Sequence, residues 1–152
     1  MSPGEIRSVI VAERAAWIRK MLDGIRVLPL SDYEVFTEDS RTPAAAESYL
    51  RRALEALLDL GRHVLAKGFA LAPAEYKEIA QQLMEAGVLS KDAGNLLRQM
   101  AGYRNRLVHF YHEISQQELY LLCTEKLSDV DSVCDGLLQW LRDHPEKMDK
   151  GI

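Results

Sequence analysis

The chain has 152 residues, 47% of them hydrophobic and 28% charged, a composition that fits one globular domain and excludes general disorder. No apolar run approaches the roughly 20 residues that span a bilayer, and the first residues do not read as a signal peptide. Nineteen Lys and Arg against 23 Asp and Glu leave a formal charge of −4, which by itself disfavours a nucleic-acid binder.

The periodicity is helical almost throughout. Residues 5–28 carry Ile10, Trp17, Met21 and Leu28 on one expected inward stripe, and Pro29 closes that helix. A short helical turn is expected around Tyr33–Glu38. Thr42-Pro43 reads as an N-cap followed by an N1 proline. The helix it opens should run to about Lys67, with Leu50, Leu54, Leu57, Gly61 and Val64 inward and Gly68 as the terminating glycine. Pro73 opens a helix over about 74–86, with Tyr76, Ile79 and Leu83 inward, stopped by Gly87. Ser90 caps a further long helix whose inward stripe is Leu96, Met100, Tyr103, Leu107 and Phe110. Ser115-Gln116-Gln117-Glu118 has the form of a capping box. It starts a last helix over about 116–143, with Leu119, Leu122, Val130, Val133, Leu137 and Leu141 inward, followed by a polar, frayed tail over 143–152. No alternating window argues for a strand. The expected fold is all-α: one domain over 1–152, an antiparallel bundle of four long helices plus one or two short ones.

Cys123 and Cys134 fall eleven residues apart in the expected last helix, about 16 Å along its axis. That separation excludes a disulfide between them. Free thiols and no signal sequence point to the cytoplasm, and both cysteines read as small buried hydrophobes. Nine glycines, none in a phosphate-loop spacing, give no nucleotide-binding loop.

The window between Asp92 and Glu113 contains no acidic residue, yet it holds Arg98, Arg104, Arg106, His109 and His112. Charge is thus separated into a basic site on an acidic body. On a helical wheel, Arg98, Asn105, His109 and His112 fall within about 40° of the side opposite the apolar stripe. Gly94, Ala101 and Gly102 share that side. Small residues there suggest a close approach by a second copy of the same helix; a fold contact with the first helix, or a loosely selected surface, is the alternative.

His, Arg and a polar Asn suffice for metal-free RNA cleavage. An imidazole exchanges protons near neutral pH. A guanidinium binds phosphate oxygens bidentately and stabilises charge building on phosphorus. Other readings exist for each residue. Three arginines near a helix end also complement its dipole. His109-x-x-His112-Glu113 lacks a clear third and fourth ligand, so no metal site and no cofactor is expected. His63 reads as an i,i+4 partner of Asp59, and His144 lies idle in the tail.

Arg104-Asn105-Arg106-Leu107-Val108-His109-Phe110-Tyr111 resembles the R-x4-H-x-Y motif of the HepT-like toxins, in the HEPN superfamily of small helical ribonucleases. Arg104, Asn105 and His109 match the general HEPN order of arginine, polar residue and histidine. The resemblance extends over roughly residues 5–142. Tyr49–Ala56 with Asp59–His63 is similar to the family's second long helix, and Tyr76–Leu89 to its connecting helix.

The resemblance implies a homodimer with the R-x4-H site in a cleft between protomers, acting as a metal-independent endoribonuclease toxin. It implies Arg104 and His109 as catalytic residues with Asn105 in support, and helix geometry adds Arg106, three residues from His109, as a further supporting residue. It also implies an MntA-like nucleotidyltransferase antitoxin that adds AMP to Tyr111, placing phosphates beside the catalytic histidine. A non-catalytic dimeric module that binds RNA or nucleotides, or only docks its partner, is the alternative. On an ideal helix Arg104 and His109 are about 140° apart. Either Arg104 reaches around, or the helix bends, or two subunits share the site, and Arg106 lies closer in angle to His109. Two carboxylate-free windows inside an acidic shell would weaken indiscriminate RNA binding.

Overall fold

The computed structural model describes residues 5–109 and 111–150, with Tyr111 by its backbone alone. Helices α1 (Ser8–Arg26), α2 (Tyr33–Glu38), α3 (Arg41–Phe69), α4 (Tyr76–Glu85), α5 (Lys91–His109), α6 (Gln116–Glu125) and α7 (Leu127–Asp143) follow in order. Single 3-10 turns lie at Tyr111–Glu113 and Pro145–Lys147. The fold is all-α, as the periodicity predicts. No helix among the described residues is long and apolar enough to cross a membrane.

The spine is α3. Its leucines at 50, 54, 57, 58, 60 and 65 are buried, so it is apolar around most of its circumference. Packed around it are α1, α2, α4, α5, α6 and α7. On α1 Met21 of the expected stripe is buried, together with Val11, Ile18, Leu22 and Ile25 one step round from it, and Trp17 is 40% exposed. On α5 Met100 and Leu107 of the expected stripe are buried, Leu96 and Tyr103 are only half-buried, and Leu97 and Ala101 are buried beside them. Both stripes fit a 3.6-residue period; which one faces inward depends on where the neighbouring helices lie. Phe110, the last member of the expected α5 stripe, lies outside the described residues.

Several local expectations change. Thr42-Pro43 sits inside the first turn of α3; upstream, the Asp39 carboxylate accepts the Arg41 N–H at 2.9 Å. Gly68 lies within α3, and Ala70 takes the left-handed conformation that ends the helix (φ 55°). Small size matters more at Gly68, because Ile6 packs where its side chain would be. The expected helix over 116–143 is two helices broken at Lys126. The break lets α6 bury its face on α2 and α3 while α7 turns onto α5 and α1. Cys123 and Cys134 are buried and free. Burial pushes their thiols up to about 12 and about 11.

Nor is the tail free through Asp149. Ile6 and Asp149 exchange backbone bonds with the chain around Met148: Ile6 N–H to Lys147 O at 2.9 Å and Asp149 N–H to Ile6 O at 2.8 Å. Lys147 Nζ donates to Gly68 O at 3.0 Å, and His144 stacks on Trp140 at 4.4 Å. His63 accepts the Arg7 N–H at 3.0 Å, at the start of α1, rather than pairing with Asp59.

Two glycines set the position of α4. At Gly61 on α3 an added Cβ would sit 2.9 Å from Ile79 Cγ2 and 3.0 Å from Leu83 Cδ1. At Gly94 on α5 it would overlap Met84. Thus α4 is seated between α3 and α5 at closer range than any larger residue permits. Its N-terminal turn thereby comes against the last turns of α5.

Candidate active-site cleft

An open cleft of about 500 Å³ lies where α3, α4 and α5 converge, lined by Arg62, Ala74, Glu75, Tyr76, Lys77, Arg104, Asn105 and His109. Asn105 and His109 are four residues apart and share a face of α5. Arg104 enters from the adjacent flank. Its guanidinium lies over the Tyr76 ring at 4.6 Å, its Nη2 donates to Glu55 Oε2 at 3.0 Å, and its Nη1 donates to Asn105 Oδ1 at 3.4 Å. The long stem therefore brings Arg104 and His109 to one cleft within one chain, despite their angular separation on the helix.

The Arg104–Glu55 pair is largely shielded, with side chains 17% and 25% exposed. Arg51 Nη1 shares Glu55 at 2.6 Å. Arg104 Nε is buried and makes no hydrogen bond. Its charge is met instead by the carboxylate and by the electron-rich face of Tyr76. A second guanidinium, Arg62, lies over the same ring at 5.0 Å. It sits there because Gly61, its neighbour in sequence, admits α4 so closely. Arg62 also approaches Asp59 at 3.7 Å. Burial raises the pKa of Asp59, against the pull of Arg62.

Arg106 is engaged elsewhere. It grips Glu118 through two 2.7 Å bonds and donates to Glu113 O at 3.3 Å, tying the end of α5 to the start of α6. The hydrogen bond with Arg106 lowers the Glu118 carboxyl, and the same bond raises Arg106. Ser115 caps α6 by accepting the Glu118 N–H at 3.0 Å, but the Glu118 side chain is on Arg106, so only half of the capping box forms. Tyr111 begins the 3-10 turn two residues after α5 ends; its side chain lies outside the described residues. His112 follows in that turn and is exposed, as is His109.

The small residues of α5 divide between two environments. Gly94 and Ala101 are buried within the fold, Gly94 against Met84 of α4. At Gly94 the close approach comes from α4 rather than from the first helix. Gly102, on the same helix, has nothing within 4 Å of an added Cβ. Tyr76, Arg62 and Lys77 were not singled out as site residues in the sequence. Helical spacing puts Tyr76 on the core side of α4, and no short motif links residues 62, 76 and 77 to the window over 104–109. Among the described residues no group of three or more His, Cys, Asp and Glu could hold a metal ion.

The fold is similar to solved structures of low sequence identity. A tri-AMPylated HEPN toxin of Shewanella oneidensis in complex with its MNT antitoxin matches with a TM-score of 0.76 and 21% identity, covering 86% of this chain and 97% of that one. A mutant of the MntA–HpeT toxin–antitoxin matches at 0.76 and 20%, covering 87% and 99%. A cytosolic protein of unknown function from Bacillus subtilis, YutE, matches at 0.73 and 18%, covering 88% and 90%. No curated protein matches the chain. The model of the HepT-like ribonucleases matches residues 17–137, which take in α3, α4, α5 and the whole cleft, and the chain belongs to that family.

Proposed function

We propose that the protein is the toxin of a toxin–antitoxin pair, a homodimeric and metal-independent endoribonuclease of the cytoplasm. The observation that carries this reading is the convergence of Arg104, Asn105 and His109 on one cleft in a member of the HepT-like ribonucleases. In the proposed reaction an imidazole takes the proton of the RNA 2′-hydroxyl. The freed oxygen forms a bond to phosphorus, and the bond to the 5′-oxygen breaks. The leaving oxygen takes a proton from the His109 of either protomer, so the products are a cyclic phosphate and a 5′-hydroxyl. Arg104 stabilises the charge on the pentacoordinate phosphorus. General acid–base catalysis supplies roughly 10²–10⁴-fold, so electrostatics on the phosphate carries the remainder. Asn105 orients the phosphate beside Arg104, whereas Arg106 supports the site indirectly by holding the turn that follows α5.

Control falls to an MntA-like nucleotidyltransferase that adds AMP to Tyr111. The structural relatives captured with antitoxins, one of them AMPylated, support this part. Phosphates added there would compete with RNA for the cleft's cations. The test uses growth and purified protein together. His109→Ala should abolish both toxicity and RNA cleavage, and the wild type should cut RNA in excess EDTA. A variant as toxic as the wild type would remove His109 from catalysis. Purified dimer that binds RNA and leaves it uncut would make the protein a binding module instead. Intact-mass spectrometry after co-expression with the nucleotidyltransferase should show AMP increments, absent in Tyr111→Phe.

A further inference from the structure

We propose that Arg62 and Lys77, on the α3–α4 wall of the cleft, form a separate subsite that grips the RNA backbone beside the phosphate being cut. The inference rests on the ribonuclease reading and deepens it. It begins from where the cleft's positive charge is committed. Arg104 is fixed by Glu55 in a shielded pair that commits it to the phosphate being cut, and Arg106 is held outside the cleft by Glu118. The arginines of the motif region therefore offer little free charge to an incoming strand.

The α3–α4 wall is different. Arg62 meets Asp59 only at 3.7 Å, with side chains 39% and 42% exposed, and such a pair contributes little and is easily exchanged for a phosphate. Lys77 is exposed, lines the cleft and has no ion pair among the described residues. Among the described residues Glu75 is the one carboxylate in the lining. Tyr76 carries both the Arg62 and the Arg104 guanidinium on its ring, at 5.0 and 4.6 Å. One ring thus fixes the spacing between a guanidinium held at the motif and a second one available to the strand. The cleft is large enough to take more than one nucleotide unit. Guanidinium planes also stack on bases, and exposed cations along a groove are how sequence-tolerant single-strand binders hold a backbone. In this arrangement Arg104 and His109 act on one phosphate, while Arg62 and Lys77 carry affinity through its neighbour.

The probe is a fluorescein-labelled oligouridylate of about twelve nucleotides, within the size range that such grooves accommodate. Binding to full-length His109→Ala protein, which leaves the probe intact, is followed by anisotropy across a salt series. Adding Arg62→Ala or Lys77→Ala should weaken binding by about 5- to 10-fold each and reduce the salt slope by about 0.7 per lost phosphate contact. Arg98→Ala, exposed on α5 outside the cleft, should leave both unchanged. Variants that bind with the parent affinity and slope would overturn the subsite, as would an equal loss from Arg98→Ala. With His109 intact, the losses from Arg62→Ala and Lys77→Ala should fall on KM and spare kcat; a fall confined to kcat would overturn the assignment as well. The two readings fail separately. Cleavage by the wild type with parent-like binding in both variants removes only the subsite. Binding that depends on Arg62 and Lys77 in a wild type that cuts nothing removes only the ribonuclease.

Discussion

Arg104 of α5 and Glu55 of α3, 49 residues apart in sequence, meet at 3.0 Å with side chains only 17% and 25% exposed. The pair decides where the motif arginine points. Attraction between opposite charges strengthens as water is excluded, so Glu55 holds the guanidinium against Tyr76 rather than letting it sample solvent.

Glu55→Gln keeps the shape and removes the charge. Small misplacements of a positioned group cost a large part of a catalytic rate, and a loss of about 10-fold in RNA cleavage, carried by kcat, is expected. Loss of a hydrogen bond to a charged group should lower stability by about 1 kcal/mol. Cleavage kinetics and a thermal melt on one preparation check both. Wild-type kcat in the variant would show that Arg104 needs no partner.

Two glycines of α5 should respond in opposite directions to the same substitution. Gly94→Ala forces Met84 aside, and overpacking costs about 1–3 kcal/mol against a helix-propensity gain of about 1 kcal/mol. A net fall in Tm is expected, relieved when Met84→Ala is added. Gly102→Ala meets nothing within 4 Å and should raise stability by up to about 1 kcal/mol. A Tm that drops in Gly102→Ala and depends on protein concentration would reveal a second copy on that face.

Arg106→Ala should lower RNA cleavage less than Arg104→Ala does, and destabilise the α5–α6 junction by about 0.5–1 kcal/mol, because the pair is one-third exposed. The sign with pH follows from Glu118. Its carboxyl is lowered by Arg106, so the stabilisation is present above the ordinary carboxylate range and is lost as pH falls through the folded-state value. Melts taken from neutral pH downward should show less acid-side loss in Arg106→Ala than in the wild type. An equal loss in both would deny the pair any part in acid sensitivity.

His63 supplies a second pH dependence, nearer neutrality. Burial lowers its pKa from 6.5, followed by the charges of Lys67, Arg7 and Arg14, while Asp149 opposes them. A depressed histidine stabilises the fold above its unfolded pKa, and that contribution is lost as pH falls through the folded value. Protonation would also remove the acceptor for the Arg7 N–H. Amide protection at the start of α1, with each rate divided by the intrinsic rate at that pH, should therefore fall on acidification from about pH 7.5 to 5.5, across the ordinary histidine range, and His63→Gln should flatten the response. Exchange independent of pH-driven opening in the wild type would remove His63 as the cause.

Much of the fold could be read directly. Seven-residue and 3-4 spacings mark most helices, and Ser90, Ser115 and Gly87 act where they were expected: Ser90 and Ser115 accept N–H groups at helix starts, and Gly87 ends α4 at φ 78°. The inward residues of α6 and α7 are all buried. Capping and amphipathic periodicity are local, so they survive in the sequence. The break at Lys126 was not legible, because an unbroken helical pattern runs through it and only the different docking partners of α6 and α7 require a bend. The docked tail was hidden for a similar reason: its polar residues find partners in Ile6, Ser8 and Gly68, far away in the chain.

By itself the sequence determined the helical class, the arginine-to-histidine spacing at 104 and 109, and a window free of carboxylates. Tertiary structure decided what that window means. Glu55 and Glu118, brought in from α3 and α6, engage two of its three arginines, and the third, Arg98, lies outside the cleft. The glycines at 61 and 94 draw α4 inward and build the cleft from Arg62, Tyr76 and Lys77 beside the motif. Helical periodicity follows from neighbours three and four residues apart, whereas side-chain pairing depends on which helices pack together, and the window alone does not carry that information.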